Sequence, residues 1–508
     1  MLARPTSRVN YDALVAAAAA AIVAALLVWL GPPGTDFAAH AYQRALFIRH
    51  GFVLWDNYWY AGRYSFVGYS VLYYPLAAVL GIRLLAVLAA AVAAFAFAEL
   101  VGTRWGAAAR WPIGAFALVW GGFVLTSAFP FALGVSFALL ALWALQARRQ
   151  WLFALFVILT LASSPVALVL LGVVLLGLAA ACGWQLWPAI VVGGAVATEL
   201  VLLVLFRAGG HYPFPASEAV AALVFCAGGL ACTWRVGEAR VLRAIFAAYA
   251  VAIVAVWAVP TDLGENVARL RYVALPVALL VLALRRWRPL PVAVLFAAAA
   301  LAWNVTPLIA GWNRGAEDVT KNAAVWQKPL AWLHAHLRPG YRVEAVDTTA
   351  HWPAYYLPEA NIPIVRGWFR QDDFPTNALL YSKFTAKEYV DWLRSLGVEY
   401  VVLSDAPTDY SSRREAEIVP RALTAVYSSP HITIYGVPQT RPITSARVLA
   451  FSVSGLSVRT EHAGTYRIAV HWSPYWHAST GTLSRASDGM MELRTADAAT
   501  VRLRFGFG

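Results

Sequence analysis

Between Thr35 and Pro75 the chain reads TDFAAHAYQRALFIRHGFVLWDNYWYAGRYSFVGYSVLYYP, with Asp36, Asp56, His40, His50, Arg44, Arg49 and Arg63 set among closely spaced aromatics. These residue types suit proton transfer: a carboxylate or imidazole within hydrogen-bond reach of a hydroxyl can remove its proton. Asp36 and His40 stand one helical turn apart, so they share a face and either is a candidate base. Trp55, Asp56, Trp59 and Tyr60 follow. Such an aromatic belt either stacks on sugar rings or anchors at headgroup depth.

A second constellation is PTDLGENVARLRY, Pro260 to Tyr272, which offers Glu265, Asn266, Arg269 and Arg271. A planar guanidinium makes paired, charge-assisted hydrogen bonds to phosphate, so Arg269 and Arg271 are candidates for holding a phosphate. Lipid headgroups are the plainer partner for both. The stretch RAGGHYPFPASE adds Arg207 and His211, and Glu199 lies within the apolar run before it. Further along, RGWFRQDD brings Trp368, Arg370 and Asp372 together. There an aromatic face for a sugar ring stands beside a carboxylate for its hydroxyls, though a plain packing loop has the same composition. Asp372 and Asp373 lack a third ligand at suitable spacing, so no metal is expected. Neither a P-loop nor a dinucleotide fingerprint occurs, so no cofactor is expected either.

The elements that must position these groups are written in the composition. Sixty per cent of the 508 residues are hydrophobic and 13% are charged, with a mean hydropathy of +0.61. That excludes an ordinary soluble enzyme and predicts a mainly α-helical, polytopic membrane protein. Apolar segments fall at 11–30, 82–101, 112–127, 131–147, 151–163, 165–182, 188–206, 219–233, 244–259, 272–284 and 290–306, about eleven spans. Arginines at 4/8, 104/110, 148/149, 235/240/243 and 285/286/288 all fall on one side if the N-terminus is cytoplasmic. That places the C-terminal third outside a plasma membrane. The net charge of +13 therefore reads as topology and lipid contact, and no nucleic-acid partner is expected. Cys182, Cys226 and Cys232 sit in or beside apolar runs and show no metal-ligand spacing.

Three domains are expected: a transmembrane domain over 1–310, an exocytoplasmic α/β domain over 311–438 and a small β-sandwich over 439–508. Helical periodicity covers Ala324–Leu337. A Thr385 cap with Glu388 three residues on opens a helix to Leu396. Strands are predicted at 342–346, 398–403 and 432–437. Alternation at 448–453, 465–471, 489–493 and 500–505 predicts the sandwich.

The order Asp36, His40, Gly51, Trp55-Asp56, Tyr60-Ala61-Gly62 and Tyr73-Tyr74-Pro75 resembles the first outer loop of GT-C-type glycosyltransferases, in a less-characterised bacterial branch. Gly264-Glu265-Asn266 with Arg269 and Arg271 is similar to their late outer-loop motif. The resemblance covers the membrane half in layout. It implies an inverting transferase that moves a sugar from a polyprenyl-phosphate donor to a glycan or glycolipid acceptor of the cell envelope, serving cell wall biogenesis. In that reading Asp36 or His40 is the base, and Arg269, Arg271, Arg207 and His211 bind donor phosphate. Trp55, Asp56, Trp59, Tyr60, Glu265, Asn266, Trp368, Arg370 and Asp372 contact sugar or acceptor. The alternative is a non-catalytic protein that binds, flips or assembles lipid-linked glycans.

Overall fold

The computed structural model describes residues 11–207 and 209–507; Arg4 and Arg8 lie outside them. The chain divides into two compact units. One comprises Met1–Gly34, Tyr69–Arg207 and His211–Asn313, the other Thr35–Gly68, Ala208–Gly210 and Arg314–Gly508. The loop expected to belong to the membrane domain is therefore part of the second unit, which resumes at Arg314.

The first unit is helical. Among the described residues nine helical stretches are long and apolar enough to cross a membrane, and the apolar helix Gln150–Ser163 is shorter. The longest, Ile82–Thr126, folds back on itself at the 3-10 turn Gly106–Ala109. Phe97 and Phe116 stack across that hairpin with centroids 4.1 Å apart.

Inside the apolar helices several polar side chains serve the backbone. Ser136 Oγ donates to Ala89 O at 2.8 Å. Pro276 has no N–H to give the carbonyl four residues back, Tyr272 O. Asn304, fully buried, supplies the missing donor through Nδ2 at 3.2 Å and accepts from Leu275 N at 3.1 Å. Where water is excluded, such a repair keeps the freed carbonyl satisfied. The residues before it, Gly264–Val273, form a 3-10 helix. This is long for the type and brings side chains three apart into register.

The second unit begins with the helix Phe37–His50. It buries Ala38, Ala39, His40, Tyr42, Gln43 and Leu46 and packs on the helix Pro353–Glu359. That buried face meets protein. A two-rung antiparallel pair, Trp55–Asp56 with Arg63–Tyr64, follows. Its loop turns through positive φ at Tyr60 and Ala61. At Gly62 a Cβ would lie 2.8 Å from the Trp55 ring, so a side chain there is excluded.

A four-stranded mixed sheet orders Arg342–Ala345, Val398–Ser404, Ile432–Gly436 and Thr424–Ser428; the first pair is parallel and the others antiparallel. The helix Ala386–Ser395 carries the full capping box, with Thr385 Oγ1 accepting from Glu388 N. The tail forms two sheets. One pairs Trp476–Ala478, Thr500–Phe505, Gly455–Arg459 and Arg447–Ser452; the other pairs Thr482–Arg485, Met490–Thr495 and Gly464–His471. Tail and mixed sheet share a core, since Met490 lies in the cluster that holds Tyr389, Leu393 and Val401.

Candidate active site

Asp36 stands immediately before the helix Phe37–His50, but its side chain makes no capping bond. Its Oδ1 instead accepts from Trp368 Nε1 at 3.0 Å, across 332 residues of sequence. No other hydrogen bond or ion pair holds this half-buried carboxylate among the described residues, so Oδ2 remains open as an acceptor. An open carboxylate oxygen can accept a hydrogen bond from a hydroxyl brought within reach. His40 is fully buried and meets the Trp368 ring edge-on at 5.5 Å. Three of the expected site residues, Asp36, His40 and Trp368, are thereby brought together. Burial separates the two candidate bases, because the imidazole lies beneath the indole while the carboxylate is half open.

The same unit holds a set of ion pairs. Arg370 Nη2 contacts Asp409 Oδ2 at 2.6 Å. Burial raises the Asp409 pKa, but Arg370 and His351 outweigh it and hold the carboxyl at about 2. His351 Nδ1 lies 2.7 Å from Asp347 Oδ2. Its burial lowers its proton affinity, and Asp347 with Asp409 more than restores it. Arg366 bridges Asp373 at 3.3 Å and donates to Ser411 and Ser412 Oγ. Arg63 pairs with Asp372 at 2.9 Å and lies 4.9 Å from the Phe369 ring. Arg370 and Asp372 are thus engaged with protein partners. Asp347 and Asp409 were not singled out by sequence, whereas Arg366 opens the RGWFRQDD stretch and His351 the polar segment before it. The four-residue spacing of Asp347 and His351 was the one local signal available.

The aromatic belt is core. Trp55 is 2% exposed and stacks on Phe505 at 4.8 Å. Trp59, 1% exposed, donates through Nε1 to Ala354 O at 2.9 Å. Tyr60 is equally buried. A Cβ at Gly367 would come within 2.7 Å of Tyr60 and 2.9 Å of Trp59. Asp56, fully buried, accepts from Tyr42 Oη at 3.0 Å and Tyr58 N at 2.9 Å. Burial pushes its carboxyl up to about 6 despite those donors and the nearby arginines. None of these four side chains is open for sugar stacking or hydroxyl binding in this structure.

The first unit holds the other expected residues. In the 3-10 helix, Glu265, Ala268 and Arg271 fall on one face and Asn266, Arg269 and Tyr272 on another. Arg271 Nη1 pairs with Glu218 Oε2 at 2.7 Å and lies 3.8 Å from Glu265 Oε1. Arg269 lies 5.0 Å from the Phe131 ring and makes no ion pair among the described residues. Arg207 is exposed, and exposed His211 stands 3.9 Å from Asp262. Of the two arginines in the motif, Arg269 has the guanidinium available to an anion. Among the described residues no group of three or more His, Cys, Asp or Glu side chains is placed to hold a metal ion. No family model matches the chain, and comparison with curated proteins finds no match.

Proposed function

We propose that this protein is a GT-C-type glycosyltransferase of the plasma membrane. In this reading it transfers a sugar from a polyprenyl phosphate to a glycan or glycolipid acceptor at the outer face, with the second unit exocytoplasmic. Asp36 removes the acceptor hydroxyl proton as that oxygen attacks the anomeric carbon. The bond from that carbon to the phosphate oxygen breaks, the pair stays on the leaving polyprenyl phosphate, and the configuration inverts. Arg269 is the preferred ligand for the phosphate charge, because Arg271 is already paired with Glu218. Stabilising charge that develops on a leaving group is where such a cation lowers the barrier.

The observation that supports this reading most is the Asp36 carboxylate, anchored through one oxygen by Trp368 and otherwise unengaged among the described residues. A capping aspartate would bond its own helix, and Asp36 does not. The test is sugar transfer by purified full-length protein in lipid, using a panel of polyprenyl-phosphate sugars and a membrane glycan extract. Transfer by wild type that Asp36→Asn abolishes upholds the proposal. Equal transfer by both removes Asp36 from the chemistry. Donor binding without transfer by either protein favours the binding and assembly role instead.

A further inference from the structure

One sheet of the tail carries positive charge on its outer face with nothing to oppose it. In the sheet that pairs Trp476–Ala478, Thr500–Phe505, Gly455–Arg459 and Arg447–Ser452, alternation turns Leu456, Val458, Val501 and Leu503 inward, where all four are buried. Their neighbours along each strand point the other way, and Arg447, Arg459, Arg502 and Arg504 are all exposed there. Register sets Arg447 across from Arg459, Arg459 across from Thr500, Arg502 across from Ser457 and Arg504 across from Gly455. No acid stands on this face. Among the described residues none of the four guanidinium groups makes an ion pair or a hydrogen bond.

A surface kept only for solubility mixes the two signs. The other tail sheet does so: Glu492 stands across from Arg467, which also pairs with Asp488 at 2.6 Å. In the basic sheet, by contrast, Arg447 and Arg459 oppose each other directly, an arrangement that costs stability. Arg502 and Arg504 wall an open groove of about 320 Å³, with Ser452, Gly455 and Ser457 along it. Gly455 adds no side chain between Ser452 and Arg504, so that row stays low. The cations occupy three successive levels of the sheet, about 7 Å apart along the strands. A charged chain lying along Thr500–Phe505 would meet a guanidinium at each level. A lipid surface calls for apolar side chains among the cations, whereas the register neighbours here are Thr500, Ser457, Ser452, Gly455 and Ala450. Leu449, set off by the bulge in the edge strand, is the exposed exception.

We propose that this face docks a linear anionic glycan whose units carry carboxylate or phosphodiester groups, with Arg502 and Arg504 gripping it at the groove and Arg459 and Arg447 continuing the track. Each guanidinium can give a pair of parallel N–H donors to such an oxyanion. The serine hydroxyls meet the polar groups between the charges. The assignment stands on the tail sheet alone and does not depend on the transfer chemistry.

The test uses full-length protein in phosphatidylcholine nanodiscs, with polygalacturonate, poly(glycerol phosphate) and neutral dextran of matched length as probes. Wild type retains at least one of the two anionic polymers and not dextran, and retention falls as salt shortens the screening length. Tighter retention of polygalacturonate assigns a carboxylate and tighter retention of poly(glycerol phosphate) a phosphodiester; either upholds the site. The double variant Arg502→Gln with Arg504→Gln weakens binding on the order of tenfold. Arg485→Gln with Arg494→Gln removes the same charge from exposed positions of the other sheet and changes binding by less than about twofold. All four positions are exposed, so the unfolding midpoints of both variants stay near that of wild type. The proposal is overturned if neither anionic polymer is retained, if dextran is retained as well as they are, or if the two double variants weaken binding equally. Capture of vesicles containing phosphatidylglycerol through Arg502 and Arg504, without retention of either polymer, overturns it in favour of a lipid surface.

Discussion

Asp56→Asn should stabilise the protein at alkaline pH and leave it unchanged in acid. Asp56 is fully buried, and its carboxyl is raised from 3.8 to about 6 by loss of solvent. A carboxyl raised on folding favours the folded state fully below pH 3.8, and that contribution is lost as pH climbs through 6. The gap, at about 1.4 kcal/mol for each pH unit, makes the ionised form cost on the order of 3 kcal/mol at pH 8. Asparagine keeps the Oδ1 that accepts from Tyr58 N. It turns an N–H toward the Tyr42 hydroxyl, which is free to rotate and accept. Urea unfolding of the full-length protein in detergent, followed by near-ultraviolet circular dichroism at pH 4, 6 and 8, measures the difference between variant and wild type. Groups that titrate in both proteins cancel. The expected difference grows from near zero at pH 4 to about 3 kcal/mol in favour of the variant at pH 8. A difference independent of pH, or a variant less stable at pH 8, would refute the view of Asp56 as a desolvated structural acid.

Trp368→Phe keeps the ring above His40 and removes the donor to Asp36. Under the proposed transfer chemistry the rate falls about tenfold, the value of one charge-assisted hydrogen bond, with the unfolding midpoint nearly unmoved. Arg271→Gln leaves Glu218 and Glu265 without their cation and lowers stability by about 1–2 kcal/mol in denaturant titration. Arg269→Gln changes stability by less than about 0.5 kcal/mol, yet it lowers retention of polyprenyl phosphate in a detergent-phase binding assay. Thr385→Ala removes one side of the capping box and costs about 1 kcal/mol in the same unfolding measurement.

Local signals read well from the chain. The capping box at Thr385 and Glu388 places the helix Ala386–Ser395 because both bonds lie within one turn. The alternation at 500–505 gives the strand Thr500–Phe505 because one face of it is buried. Apolar runs locate the long apolar helices for the same reason, as length and hydropathy are properties of the run itself. What the chain does not disclose is pairing at a distance. Nothing near Asp36 announces Trp368, and nothing near Arg63 announces Asp372. Aromatic density at Trp55 to Tyr64 fits a core, a headgroup belt and a sugar platform equally, and only the partners Phe505 and Ala354 decide for the core. Likewise Arg269 and Arg271 look equivalent in sequence, until the 3-10 geometry sends one to Glu218 and the other to Phe131.

The membership of Thr35–Gly68 in the second unit bears on how the protein is made. This segment is synthesised early, yet the strands and helices that cover Trp59 and Tyr60 arrive only after Arg314. At ribosomal rates of roughly 5–20 residues per second, it waits from roughly a quarter of a minute to about a minute for its partners. Through that interval its tryptophans and tyrosines need a temporary shelter, from a chaperone, the insertion machinery or the bilayer surface. A chain interrupted before Arg314 would never release that shelter. The residues after Arg314, expressed alone, would lack the strip that fills their own interior. Complementing one fragment with the other in the same cell would therefore restore a folded unit that neither forms by itself.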